Sequence, residues 1–309
     1  MVDFSKFNSI FELTQYFDSE ERCRRAIRDS RWDRNNVVCP YCGGHHCVER
    51  KDGRYRCPHC KRNFSVLVGT IFENTKISLR KWFIAMYLIS CHKKGISSVQ
   101  LATDIHITQK TAWFILHKVR TLYKQYDTRA LSGEVEMDEM YLGGRETNKH
   151  ESKRTEKTQG RSTKTKTPIF GMVEREGVVR ALKVPNTQAA TLMPIIKQFV
   201  AEGSVVFTDE LNAYNGLADA GYIHGVIHHS IKEYSNGGIT TNSIEGFWAH
   251  FKRVVFGTYH FVSKAYLQRY IDEAVYRYNT RKADESMRFL HMFNMAIGKC
   301  DYNSVKIVA

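Results

Sequence analysis

Val135-Glu136-Met137-Asp138-Glu139-Met140-Tyr141-Leu142-Gly143-Gly144 is the stretch whose reading decides the fold. Upstream, residues 78–126 carry helical spacing. Within Glu134–Leu142 the spacing changes: Val135 and Met137 alternate with Glu136 and Asp138, and Met140 is a candidate to extend the apolar series. Side chains on a strand alternate between faces, so Glu136 shares the Asp138 face and Glu139 is expected on the opposite one.

Reading onward, Ile169–Glu174 and Val178–Val184 form two more strand patterns with Gly177 in the turn between them. Thr187 opens a helix to about Ala201, Val205–Thr208 is a short buried strand, and Tyr222–His228 is another strand. Thr241 is placed to cap a helix to about Val255; 263–280 and 284–297 are helical. The order is three strands, helix, strand, short helix, strand, helices. It predicts an α/β (α+β) fold, a mixed sheet flanked by helices in the ribonuclease-H-like arrangement. Residues 145–166 break all periodicity; with eight Lys/Arg, three Asp/Glu and many Thr and Ser, they read as a solvated, mobile basic loop.

Three acids fall where such a sheet could gather them. Asp138 lies in the first strand, Asp209 just after Val205–Thr208, and Glu245 in the first turns of the helix from Thr241, with 35 residues between it and Asp209. Two strand ends and a helix N-terminus can meet at one sheet edge. Three carboxylates there repel unless divalent cations neutralise them, and an all-oxygen set selects Mg²⁺ or Mn²⁺. Two such ions are suited to in-line displacement at a phosphodiester. Glu139 and Glu210 are adjacent acids that could replace Asp138 or Asp209, and Glu136 is a candidate to support Asp138 from the same face. Glu245 stands off the apolar stripe Ile244, Phe247, Trp248, Phe251 and Val255, while Lys252 and Arg253 on that helix are placed to hold phosphates.

The first half has a different character. Cys39-Pro40-Tyr41-Cys42 and Cys57-Pro58-His59-Cys60 are Cys-x-x-Cys pairs separated by 14 residues. Four thiolates in that pattern suit a structural Zn²⁺, whose binding supplies the folding energy so small a module lacks. His45, His46, Cys47 and His59 read as surface or packing residues, and Cys23, Cys91 and Cys300 as buried thiols. No basic segment followed by an apolar run opens the sequence, and no apolar run approaches the ~18 residues of a membrane span. A reducing, cytoplasmic setting is expected, with the eight cysteines as ligands or thiols before disulfides.

Around the ribbon, residues 4–35 contain two short helical patterns, the first with Phe11, Leu13, Tyr16 and Phe17 on its apolar face. Ser78, Ser97 and Thr108 are the expected N-caps of three helices. The last two make a helix-turn-helix over Gly95–Arg120, with Gln109, Lys110, Trp113, His117 and Arg120 nearer the outer face; Gln109, Lys110, His117 and Arg120 are the candidate DNA contacts. Residues 1–130 hold 23 Lys/Arg against 12 Asp/Glu, and 131–309 hold 23 against 20, so most of the net +14 charge sits in the first half. A polyanionic partner follows, nucleic acid foremost. The domains expected are 1–35, helical; 36–70, zinc ribbon; 75–128, helix-turn-helix; and 131–297, the ribonuclease-H-like unit.

Together these motifs resemble a known group. Val135–Gly144 resembles the first catalytic block of the insertion-sequence transposases numbered fifteen ninety-five, relatives of the Merlin elements; Val206-Phe207-Thr208-Asp209-Glu210 with Ala213-Tyr214 resembles the second. Thr241-Asn242-Ser243-Ile244-Glu245-Gly246-Phe247-Trp248 with Lys252-Arg253 resembles the third, and Tyr266–Arg281 is similar to the group's C-terminal helices. The resemblance spans about residues 10–297. It implies Asp138, Asp209 and Glu245 as a metal-binding triad, and an enzyme that cuts its element's terminal inverted repeats and joins the 3′ ends to target DNA. Joining two ends implies double-stranded DNA as partner and a homo-multimer on it. The group's pattern has a His shortly before Thr241-Asn242, where this chain has Thr240; His228 or His229 are candidates to substitute. The rival expectations are a DNA-binding regulator derived from a transposase, without catalysis, and a plain nuclease acting on RNA–DNA hybrids.

Overall fold

The computed structural model describes residues 6–32, 36–124, 129–143, 150–155, 162–227 and 240–298. Contacts divide the chain into two compact units, residues 1–124 with 280–309, and residues 125–279. Half of the loop expected at 145–166 (145–149 and 156–161), together with His228, His229 and Cys300, lies outside the described residues.

The first unit begins with helices α1 (Ile10–Tyr16) and α2 (Glu20–Arg31). Leu13 and Phe17 are buried, but Phe11 and Tyr16 are exposed: the short helix turns only one edge of its expected apolar face inward. Strands β1 (Val48–Glu49), β2 (Tyr55–Arg56) and β3 (Asn63–Phe64) form a small antiparallel sheet, and Trp32 packs edge-on against Tyr55 and Phe64. Helices α3 (Leu79–Cys91), α4 (Ser98–Asp104) and α5 (Gln109–Tyr123) follow. Ser78, Ser97 and Thr108 each accept a backbone N–H of the first turn, as expected of N-caps. Ile107 N donates to Ala102 O, closing the turn between α4 and α5. The last helix, α9 (Glu285–Ile297), belongs to this unit: it lies against α3 and α5, with Phe293 edge-on to Phe83 and Phe289 edge-on to Tyr87. The ribonuclease-H-like unit expected over 131–297 instead ends at Asn279, because α9 packs with the first unit.

The second unit is a five-stranded sheet in the order β6-β5-β4-β7-β8. Strand β4 is Glu134–Gly143, β5 Lys166–Glu174, β6 Val179–Lys183, β7 Val205–Thr208 and β8 Ile223–Val226. The first three are antiparallel neighbours; β7 pairs parallel to β4, and β8 parallel to β7. This is the ribonuclease-H-like order. One face packs Val135, Met137, Phe170 and Val206 against Leu192 and Ile196 of α6 (Ala189–Phe199). The other packs Met140, Ile169 and Val173 against Ile244, Phe247, Trp248 and Phe251 of α7 (Asn242–Val254) and against Leu267 and Ile271 of α8 (Leu267–Asn279). Met140 therefore does not continue the Val135–Met137 face. Strand β4 is buried at Val135–Met137 and mostly only half-buried from Asp138 onward, where its apolar alternation fades.

Candidate active site and metal-binding residues

The site grows from the register of the two central strands. Val135 pairs with Val206 and Glu136 with Phe207, so continuing the ladder by two residues brings Asp209, just past the end of β7, level with Asp138. Asp209 is pinned there because its Oδ1 accepts the Leu211 N–H at 3.0 Å. Beside it Thr208, fully buried, shares a 2.8 Å hydrogen bond with Nε2 of His224, whose pKa is lowered by burial. Asp138 looks toward α7. Its carboxyl is pushed up to about 6, first by burial and then by the charges of Asp209 and Glu245.

Carboxylate oxygens of Asp138, Glu139 and Asp209 all lie within 4.8 Å of one another. Glu139 corrects the expectation from strand alternation. Past the end of β7 the β4 edge has no strand neighbour among the described residues, so a carboxylate from the far face can reach around it. The Tyr214 hydroxyl donates to Glu139 there, and burial together with that carboxylate raises the Tyr214 pKa well above its ordinary value. Glu245 is exposed on the first turn of α7, outside that oxygen group, with Oε1 accepting from Thr241 Oγ1 at 3.2 Å. Oxygens around one octahedral Mg²⁺ stand about 3–4 Å apart, so the all-oxygen, mutually repelling set fits a hard divalent cation with small side-chain adjustment.

The first turn of α7, which carries Glu245, is held to the sheet by Glu136, wholly buried. Its carboxylate accepts from Ser243 N at 2.7 Å, Ile244 N at 3.1 Å and Ser243 Oγ at 3.1 Å, so a strand residue more than a hundred positions away caps α7. Thr241, the expected cap, makes no side-chain cap bond. Arg175 completes the strut, with Nε 2.9 Å from Glu136, Nη1 2.5 Å from Glu134 and Nη2 donating to Thr240 O at 3.1 Å. At position 240 it is thus the backbone carbonyl that the fold uses. Trp248, one turn beyond Glu245, lies over Gly171, the β5 partner of Asp138; a Cβ on Gly171 would stand 2.4 Å from Trp248 Cζ2. Among the described residues the buried Trp248 indole N–H makes no well-formed hydrogen bond, yet it is near enough to Asp138 to ease its ionisation.

In the first unit the sulfurs of Cys39, Cys42, Cys57 and Cys60 lie within 4.8 Å of one another, with Cys39–Cys60 at 3.7 Å and Cys42–Cys57 at 3.6 Å. Thiolates about 2.3 Å from one tetrahedral zinc stand about 3.8 Å apart, so the quartet has the span a zinc requires. Gly44 gives the quartet room, since a Cβ would come within 2.6 Å of the His59 ring and 3.3 Å of Cys57 Sγ. Cys47 is buried and directs its thiol to Gly44 O, outside the quartet.

Residues 130–279 match the family model of the ISXO2-like transposase domain, and residues 18–63 match that of the transposase zinc-ribbon domain. An uncharacterized protein in transposable element ISH50 of Halobacterium salinarum is 30% identical over 243 residues, 74% of this chain and 81% of the relative. The chain belongs to the ISXO2-like transposase family. A transposase-like protein of Haemophilus influenzae is 32% identical over 112 residues, 36% of this chain and 89% of that one. Among solved structures, the Mos1 strand transfer complex aligns with 69% of this transposase-family chain and 75% of its own, at 13% identity and a TM-score of 0.30.

The candidate DNA contacts of this family member divide in two. Gln109 and Lys110 are exposed on the first turn of α5, and Lys252 and Arg253 are exposed on the last turn of α7. His117 and Arg120 are only 1% and 2% exposed and face inward, correcting their expected place on the outer face. The His117 ring lies 4.1 Å from that of Trp113, and α9 covers the side of α5 that local periodicity left open. Among the described residues no helix is long and apolar enough to cross a membrane.

Proposed function

We propose that this chain cuts the terminal inverted repeats of an insertion sequence and joins the freed 3′ ends to target DNA. The observation that carries the reading is the register of β4 and β7, which levels Asp138 with Asp209 while α7 brings in the charge of Glu245. Asp138, Asp209 and Glu245 would hold Mg²⁺ or Mn²⁺, with Glu139 beside them, and Cys39, Cys42, Cys57 and Cys60 would hold a structural zinc. Bound divalent cations supply Lewis acidity for displacement at a phosphodiester. The chain's own residues do the rest. Asp138 gives up the proton that burial favours; Glu136 and Arg175 hold α7 so that Glu245 stays aimed; Lys252 and Arg253 neutralise substrate phosphates. Gln109 and Lys110 sit where a recognition helix meets base edges. Two element ends must meet, so the working form is a homo-multimer on double-stranded DNA, in the cytoplasm with the nucleoid.

The test is Asp138→Asn, which keeps shape and removes charge. End binding should persist, with its steep salt dependence, while strand transfer falls at least a thousandfold. Strand transfer at the wild-type rate, with the protein folded, would remove Asp138 from the mechanism.

A further inference from the structure

A second site lies on the same sheet face as Asp138. Leu142, four residues along β4 and therefore on that face, borders a cavity of about 270 Å³. Its other walls come from Thr165 and Thr167 at the start of β5 and from the segment just after α7. Buried Val255 and Leu267 line it as well; Phe256 and Phe261 line it while standing 56% and 79% exposed. Two features of the backbone shape this wall. Residues Val255–Tyr259 widen into a single π-helical turn, and His260 has φ +59°, a conformation uncommon for a residue with a Cβ.

An apolar slot with two exposed aromatic rings suits a flat ring. Lys264 lines the slot; Lys164 adjoins Thr165 in sequence and Lys252 and Arg253 lie three and two residues before Val255, all four exposed, and between Glu245 and Asp272 the sequence contains no acid. The volume lies below the ~300–1,000 Å³ of pockets that enclose drug-sized ligands, which leaves room for one base and not for a larger cofactor. Four strand residues separate Leu142 from Asp138, about 13 Å, equal to about four nucleotides at the ~3.4 Å rise of a stacked strand.

We infer that this cavity captures one nucleobase, unstacked from the substrate strand within about four nucleotides of the phosphate held at Asp138. The inference rests on the strand-transfer reading. A base leaving the stack loses its neighbours; Phe256 and Phe261 replace them with aromatic contact, and the exposed cations hold the flanking phosphates.

The full-length protein is to be tested with two duplexes of one length, one blunt and one with its last four base pairs mismatched, in Ca²⁺ to prevent turnover. The inference predicts tighter binding of the frayed duplex by wild type. Phe256→Ala/Phe261→Ala should reduce that preference about 5- to 150-fold, the range one base–aromatic stack accounts for, with blunt-duplex affinity unchanged. Phe261→Trp should restore it. 5-Iodouracil at each of the four frayed positions should photocrosslink to Phe256 or Phe261 from one of them. Both rings are exposed, and equal zinc content and melting temperature would verify that the variants fold. A preference unchanged in the double variant, or crosslinks confined to other residues, overturns the inference. So does a double variant altered only in self-association, because the rings would then serve a second copy of the chain. Failure of wild type to bind either duplex would instead count against the strand-transfer reading itself.

Discussion

Replacing Glu136 with Gln should loosen α7 without touching a proposed metal ligand. The carboxylate accepts four hydrogen bonds, from Ser243 N, Ser243 Oγ, Ile244 N and Arg175 Nε, at 2.7–3.1 Å. Gln keeps one acceptor oxygen but turns an NH₂ toward groups that are themselves donors. Breaking a buried charge pair by removing one partner costs about 3–5 kcal/mol. Arg175 keeps Glu134 and the Thr240 carbonyl, and its side chain is 22% exposed, so the lower end applies, about 3 kcal/mol. At about 1.4 kcal/mol per factor of ten, local opening should become about a hundredfold more frequent. Hydrogen-exchange mass spectrometry reads this directly: amides in 242–254 should exchange about a hundredfold faster, with the zinc-ribbon segment unchanged, and strand transfer should fall because Glu245 is no longer held. Exchange within threefold of wild type across α7 would refute the strut.

Gly171→Ala should cost about 1–3 kcal/mol through overpacking against Trp248 and Ile244 and should reduce strand transfer; Trp248→Phe in the same chain should recover part of the loss in denaturant midpoint. The raised pKa of Asp138, about 6 against an ordinary 3.8, has a definite sign. Without metal the native state binds more protons than the unfolded one between those values, so stability falls as pH rises through the window. Cations must displace that proton, so Mn²⁺ affinity by calorimetry should rise about tenfold per pH unit up to about 6 and level off above it; a flat profile from pH 4.5 to 6 would contradict the assignment. Native mass spectrometry should find one zinc per chain, absent in Cys57→Ser, with exchange protection lost around residues 37–66 while Mn²⁺ binding persists. Retention of a full equivalent of zinc in that variant would rule out the four-thiolate site.

Much of this was legible locally. The caps at Ser78, Ser97 and Thr108 are visible because capping acts within three residues, and the Cys pairs because ligand geometry imposes short spacing. Strands β4 and β7 could be read from alternation and from a short apolar run. What local patterns hid were contacts between segments distant in sequence. Glu136 caps a helix across 107 positions, so Thr241 appeared to be the cap. His117 and Arg120 seemed to face outward because the helix covering α5 arrives from the far end of the chain. Alternation set Glu139 apart from Asp138, because a two-face rule has no provision for a strand that outruns its neighbour.

The central claim is that three carboxylates from separate elements serve one divalent-cation centre. Mn²⁺ binding to wild type and to Asp138→Asn, Asp209→Asn and Glu245→Gln tests it most directly, with circular dichroism and zinc content verifying the fold. Each substitution should weaken Mn²⁺ at least tenfold, and any two together should add little to the loss. Wild-type affinity in any one of the three folded variants would contradict a shared centre.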